Sequence, residues 1–320
     1  LYQKSDIPFS RRVSDRRCHQ TTWCFDRALA FLQMPREGPW LATVNPFAAH
    51  DPFDYLPEFL DGYDPATLPP PLWRPGELDD KPSFQRASYD RRGGGYESKT
   101  DLQLRQMRAA YYATIEHIDA ELGRLIDWLD TTGQRQDTLI LFTSDHGDMG
   151  GDHGLFQKGP YFYDQAVRVP LILSWPGVIP AGYRCDALVE LVDIVPTLHE
   201  LLGTDIPERV QGRSLVPLLS GAPLPRRDGV YSEYYNSNPA ATSPQQEPVY
   251  ATMWRTRDHK IVVYHGEPFG ELYDLRADPE EFDNLWDDPA QADLRFAMVR
   301  ACFDAIVFAM DPLPTRESGF

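Results

Sequence analysis

Between Thr100 and Leu129 the apolar residues Leu104, Met107, Tyr111, Ile115, Ile118, Leu122, Leu125 and Leu129 step by threes and fours. After Gly133 the chain runs into the continuous apolar stretch "DTLILFTS" at 137–144. The first pattern is one buried face of an amphipathic helix, and the second suits a strand covered on both sides. A long helix feeding such a strand commits this part of the chain to a sheet packed between helices. "VRVPLILSWPG" (167–177) repeats the strand character and "LVDIVPTLHELLG" (191–203) the helical one, while "DRALAFLQ" (26–33) reads as a short helix and "GPWLATVNPF" (38–47) as a mostly buried strand. The expected fold class is therefore α/β, with a mostly parallel or mixed central sheet.

After Leu219 the texture changes. "GVYSEYY" (229–235), "VYATMWRT" (249–256), "HKIVVYH" (259–265) and "GELYDL" (270–275) predict short strands joined by tight turns, and "ADLRFAMVRACFDAIVFAM" (292–310) predicts a helix packed on them. The organisation expected is an α/β portion over 1–219 and a small antiparallel four-stranded subdomain with a C-terminal helix over 220–320. The Pro-, Gly- and charge-rich stretch from Gly62 to Gly95 lacks clear periodicity and is a long excursion of the functional or mobile kind.

A formal net charge of −17 over 320 residues argues against a nucleic-acid groove and against an anionic membrane surface. Any anionic small substrate needs a local pocket of cations. No apolar run approaches the length of a membrane span. Cys18, Cys24, Cys185 and Cys302 form no CxxC pair and read as ordinary thiols, with a Cys18–Cys24 bridge left open.

The 137–144 strand ends in Ser144-Asp145-His146-Gly147-Asp148. In open α/β sheets the ligand crevice lies beyond the carboxyl ends of the strands. A carboxylate beside a neutral imidazole there offers oxygen and nitrogen donors to a divalent ion, and Gly147 gives the backbone room to aim them. A polar loop is the plain alternative. Lys158, twelve residues after His146, can neutralise charge on an anionic ester, or be a solvated surface lysine. His50, just past the 38–47 strand, can donate to an oxyanion or a leaving group, or cap its own loop. Asp152 and His153 read as residues that shape the loop, His117 and His199 as structural, His259 and His265 as surface residues, and "DPEEFDN" (278–284) as a solvated turn.

Taken together, "NPFAAHDPF", "YLPEFLDGYDP", "RAAYYATIEHIDAELGRLIDWLDTTGQRQDTLILFTSDHGDMGGDHGLFQKG", "VRVPLIL", "LVDIVPTLHELLG" and "ELYDLRADPEEFDNL" resemble the sulfatase family of the alkaline phosphatase superfamily along nearly the whole chain. The resemblance implies an alkaline phosphatase-like sheet between helices and a small C-terminal four-stranded subdomain. It also implies a divalent cation, usually Ca2+, held by two acids near the family's N-terminus and by Asp145 and His146. His50 and Lys158 match the family's contacts to the sulfate group or the leaving oxygen.

Two departures stand out. The loop Ala48-Ala49-His50-Asp51 lacks the paired histidines frequent among relatives, and no C-x-P-x-R or S-x-P-x-R stretch occurs in the 320 residues. That motif carries the residue converted to formylglycine, whose hydrated aldehyde is the family's nucleophile. The first acidic metal pair is missing as well. These residues are therefore expected to be the C-terminal two-thirds of a longer enzyme and silent by themselves. The expected activity of the intact protein is hydrolysis of a small anionic sulfate ester, with no nucleic-acid or membrane partner. The alternatives are a phosphonate monoester or phosphodiester hydrolase of the same superfamily, with Mn2+ or Zn2+ as the metal, and a non-catalytic binding protein on the same fold.

Overall fold

The computed structural model describes residues 2–91, 96–219, 227–235 and 248–310. Residues 92–95 of the Gly-rich excursion lie outside them, as do 220–226, 236–247 and 311–320 of the C-terminal region. The chain divides into two compact units. One comprises Leu1–Gly76, Arg86–Gly159 and Asp164–Trp175, the other Glu77–Gln85, Pro160–Tyr163 and Pro176–Phe320.

The first unit is built around its longest helix. In chain order it holds β1 (Tyr2–Lys4), β2 (Ser10–Val13), α1 (Gln20–Leu32), β3 (Phe53–Tyr55) and α2 (Pro57–Leu60). After α3 (Ser83–Arg91) follow α4 (Asp101–Thr131), β4 (Ile140–Thr143), α5 (Asp164–Val167) and β5 (Leu171–Ser174). Thr100 opens α4 with a reciprocal capping box to Gln103. Its far end closes in a Schellman motif, with Gln134 N donating to Leu129 O, Gly133 N donating to Asp130 O, and Gly133 at φ 73°. Leu104, Met107, Ala110 and Ala113 of α4 pack with Phe53, Tyr55 and Phe156 to form the core. Small residues on that face let the short β3 approach the helix closely.

Strand pairing is mixed. β1 runs antiparallel to β2, β2 parallel to β3, and β4 antiparallel to β5, so the 137–144 stretch lies in an antiparallel pair rather than the parallel sheet its apolar run suggests. The stretch 38–47 also differs from its expected strand. Exposure alternates residue by residue from Trp40 to Phe47, as on a strand, yet no sheet pairing joins it among the described residues. An extended backbone becomes a ladder only when a partner supplies the hydrogen bonds. Helix α1 begins at Gln20, six residues before the apolar pattern predicts, because the His19 side chain caps it by accepting from Thr21 N. The 62–95 excursion is less irregular than its composition suggests, since it contains α3 and a 3-10 turn at Pro65–Thr67.

The second unit follows the sequence closely. After α6 (Ile194–Leu201) and α7 (Val216–Leu219), β6 (Val230–Tyr235), β7 (Tyr250–Arg255), β8 (His259–Tyr264) and β9 (Gly270–Asp274) form a four-stranded antiparallel sheet in sequence order. Helix α8 (Ala292–Phe308) sets Met298 and Cys302 against Ile261 and Leu272. The acidic run 278–284 is more than a solvated turn. Glu281, at φ 60°, is buried and meets the buried Lys260 at 2.6 Å, while Lys260 Nζ also donates to Phe162 O at 2.9 Å. All four cysteines are free, so Cys18 and Cys24 are not bridged. Among the described residues no helix is long and apolar enough to cross a membrane.

Candidate functional site

Strand β4 ends at Thr143 and delivers Asp145 and His146 into a turn stitched by three local bonds. Ser144 Oγ donates to His146 O at 2.8 Å, His146 N to Asp145 Oδ1 at 3.0 Å, and His146 Nδ1 to Gly147 O at 2.8 Å. A carbonyl only accepts, so the last bond puts the ring proton on Nδ1 and leaves the Nε2 lone pair outward. Nε2 lies 3.6 Å from Asp145 Oδ2, and the Asp145 side chain is 86% exposed. Two donors each about 2.0–2.4 Å from one ion lie about 3–4 Å apart, so this spacing fits two corners of a divalent-cation shell. Two corners do not make a shell. Among the described residues no group of three or more His, Cys, Asp or Glu could hold a metal.

Gly147 serves the site through closeness. A Cβ there would sit 1.9 Å from Gln165 O, and Gly147 N donates to Ala166 O at 2.8 Å. The glycine thus presses the turn against the segment leading to β5.

His50 emerges at the end of the extended stretch, its ring 4.7 Å from that of Phe47 and 6.3 Å from that of His146. Its Nδ1 donates to Asp51 O at 2.7 Å, which again fixes the proton on Nδ1. The free Nε2 then accepts from Lys158 Nζ at 2.5 Å. His50 and Lys158, 108 residues apart in sequence, are therefore in direct contact. Both stand in the same unit as Asp145 and His146.

Three further residues that the sequence did not mark as functional, Asp51, Asp148 and Gln157, lie around this pair, and Tyr111 faces one of them electrostatically. Asp148 is half-buried and accepts from Gly150 N at 2.8 Å and Gln157 N at 3.1 Å. Burial pushes its carboxyl above the usual range, against the pull of those two amides; the Asp51 charge adds to the rise and His50 opposes it. Tyr111 of α4 is pushed up to about 12, by burial first and the Asp148 charge second. Gln157 Nε2 donates to Asp51 Oδ2 at 2.6 Å. The only sequence signal for Asp51 and Asp148 was adjacency to His50 and to the Asp-His-Gly turn. Gln157 and Tyr111 gave none.

Asp152, His117 and His153 sit in structural contacts, and His199, His259 and His265 lie nearer the surface. Asp152 accepts from Leu72 N at 2.9 Å and Arg108 Nη2 at 2.6 Å, and the buried His153 donates its backbone N–H to Leu72 O at 2.6 Å. His117 is buried on α4, its Nε2 2.9 Å from Thr22 Oγ1 and its ring stacked on Phe59. His199 Nδ1 lies 2.9 Å from Thr204 Oγ1, and His265, exposed, has Nε2 3.0 Å from Thr252 Oγ1. His259 is half-buried at the start of β8.

The chain is similar to several known proteins. Residues 151–305 match the family described as N-sulphoglucosamine sulphohydrolase, C-terminal. The multifunctional alkaline phosphatase superfamily protein PehA of Trinickia caryophylli is 32% identical over 86% of this chain and 57% of its own length. The choline-sulfatase of Rhizobium meliloti (strain 1021) is 34% identical over 83% and 52%. The chain thus spans about half the length of these curated relatives. Among solved structures, the phosphonate monoester hydrolase of Agrobacterium radiobacter superposes with a TM-score of 0.84 at 27% identity, covering 97% of this chain and 64% of that one. The match to the sulfatase family itself runs over residues 10–204, more than half of the chain, and with the turn after β4 and the fold around it places this chain in the sulfatase family of the alkaline phosphatase superfamily.

Proposed function

We propose that the protein containing this chain hydrolyses sulfate esters, with Asp145 and His146 as ligands of a divalent cation, Ca2+ first among candidates, and His50 and Lys158 as catalytic residues at the leaving oxygen. The observation that carries the reading is the direct contact of Lys158 with His50 within ring distance of His146. A bound cation would supply positive charge to the ester's non-bridging oxygens.

The chain's own residues account for the other half of the reaction. As the sulfur–oxygen bond breaks, negative charge grows on the leaving oxygen. The proton between Lys158 Nζ and His50 Nε2 can move onto it, and the remaining N–H groups of Lys158 stabilise the charge meanwhile. Because Nδ1 is bonded to Asp51 O, His50 keeps Nε2 aimed at Lys158 throughout. The nucleophile lies beyond what these residues provide. The 320 residues contain neither C-x-P-x-R nor S-x-P-x-R, so a formylglycine and the remaining ligands are assigned to chain outside them, and residues 1–320 alone are expected to be inactive.

A second reading has a specific observation in its favour. The phosphonate monoester hydrolases of Agrobacterium radiobacter and Silicibacter pomeroyi superpose with TM-scores of 0.84 and 0.82. Sulfate and phosphonate esters present similar tetrahedral oxyanions to such a site. Turnover of 4-nitrophenyl sulfate, phenyl phosphonate monoester and a phosphodiester by full-length protein, measured side by side, tests both. A sulfate kcat/KM well above the others supports the first reading, and a phosphonate preference replaces it. Binding of the esters without turnover by metal-loaded protein would instead leave a non-catalytic binding protein.

A further inference from the structure

The contact between Lys158 and His50 has to be held from two loops far apart in sequence, and the structure contains a clamp suited to that task. Gln157 directly precedes Lys158, and Asp51 directly follows His50. Gln157 Nε2 donates to Asp51 Oδ2 at 2.6 Å, so the residue before the lysine is tied to the residue after the histidine.

The backbone of Gln157 is pinned as well. Its N–H donates to Asp148 Oδ1 at 3.1 Å and its carbonyl accepts from Met149 N at 2.9 Å. Its φ is +64°, a left-handed conformation that is unfavourable for a non-glycine residue and persists only where its surroundings hold it. Asp51 is held by the same geometry. Its backbone carbonyl takes the His50 Nδ1–H, and its Oδ1, buried with no hydrogen-bond partner among the described residues, stands 3.2 Å from that nitrogen.

We infer that Gln157 is a positioning residue, which through Asp51 keeps the Lys158 ammonium on His50 Nε2 so that the pair meets the leaving oxygen as one unit. The inference rests on the proposed role of that pair, but it has a geometric content of its own. A glycine or apolar residue at 157 would relieve or tolerate the turn and drop the tie to Asp51. Lys158 would then lose the anchor that its neighbour gives it.

Two variants remove the Nε2 donor in different ways. Gln157→Leu deletes the polar end, and Gln157→Glu keeps the shape but sets a second carboxylate oxygen against Asp51. In full-length protein labelled with 15N-histidine, the His50 Nε2 resonance, assigned by its loss in His50→Gln, reports whether the ammonium is still bonded there. Both variants are expected to move it towards its position in Lys158→Met. Kinetics give the second readout. Losing help at the leaving oxygen should cost about tenfold or more with an alkyl sulfate and little with 4-nitrophenyl sulfate, whose leaving group needs no proton. A merely structural role would lower both substrates equally. Adding Asp51→Asn to Gln157→Leu should cost nothing further, because the two act through one bond. An unmoved His50 resonance, or equal losses on both sulfates, overturns the inference. A moved resonance in a protein that hydrolyses neither ester removes the proposed function and leaves the clamp standing.

Discussion

The sheet of the second unit and the β4–β5 pair of the first are written in the same apolar vocabulary, yet they end in different environments. In β8 and β9 most residues are buried, including Ile261, Val262, Leu272 and Tyr273. β4 is half-buried throughout, and Ile172 of β5 is 57% exposed. The extended stretch from Trp40 to Phe47 goes further, with Leu41 82% exposed and no sheet pairing among the described residues. An apolar run states that a strand can be covered on both faces; what covers it must come from neighbours. In the second unit, β7 and α8 supply them. The candidate site grows out of the less covered region, so stability and activity are expected to respond to different substitutions.

The largest effect is expected at the bottom of the closed region. Lys260 and Glu281 are both buried and paired. Lys260→Ala leaves a carboxylate buried without its partner and should cost about 3–5 kcal/mol in urea unfolding, whereas replacing both residues by apolar ones should cost much less. Equal costs for the single and double replacements would mean that the pair is not closed from water.

The next effect concerns the core around α4. Burial, then neighbouring His19, lowers the His117 pKa to about 4. The unfolded chain binds its proton near pH 6.5, so between pH 6.5 and 4 the unfolded state holds more protons and stability falls as pH falls. The stabilisation is complete above pH 6.5, and about 3 kcal/mol is lost by pH 4. Unfolding free energies measured across that window should flatten in His117→Gln. An unchanged slope would place the acid sensitivity elsewhere.

At the site the same logic reverses. His50→Ala and Lys158→Ala should lower kcat/KM of full-length protein by about a hundredfold or more, while the melting temperature shifts little, because both side chains are partly open to solvent. Near-normal kinetics in both variants would detach the pair from the chemistry.

How much of this was legible in the sequence follows the same division. α4 could be read to within a residue or two, since Thr100 and Gly133 mark its ends and the apolar stripe its face. The four hairpin strands were legible for a similar reason, as their signals are local. Asp145 and His146 are sequence neighbours at a strand end, so their proximity was assured. The meeting of His50 with Lys158 was not readable from spacing across 108 residues, and family resemblance only implied a shared role. Gln157 was invisible because its importance lies in a left-handed backbone and a bond to Asp51. Glu281 misled for the complementary reason. Its run of acids looks solvated, and only Lys260, on another strand, draws this one inward.

The smallest expected effect sharpens the comparison most directly. Ile261 of β8 is fully buried and Ile172 of β5 is mostly exposed, yet both are isoleucines in short strands. Ile261→Val removes one methylene from a packed core and should cost about 0.5–1.5 kcal/mol. Ile172→Val keeps the β-branch and removes a methylene that water already reaches, so its cost should stay below about 0.5 kcal/mol. Urea unfolding of the two variants in full-length protein compares the faces without touching the candidate site. A cost at Ile172 equal to that at Ile261 would show that the outer face of β5 is covered by residues other than those described, and the contrast between the two sheets would then fail.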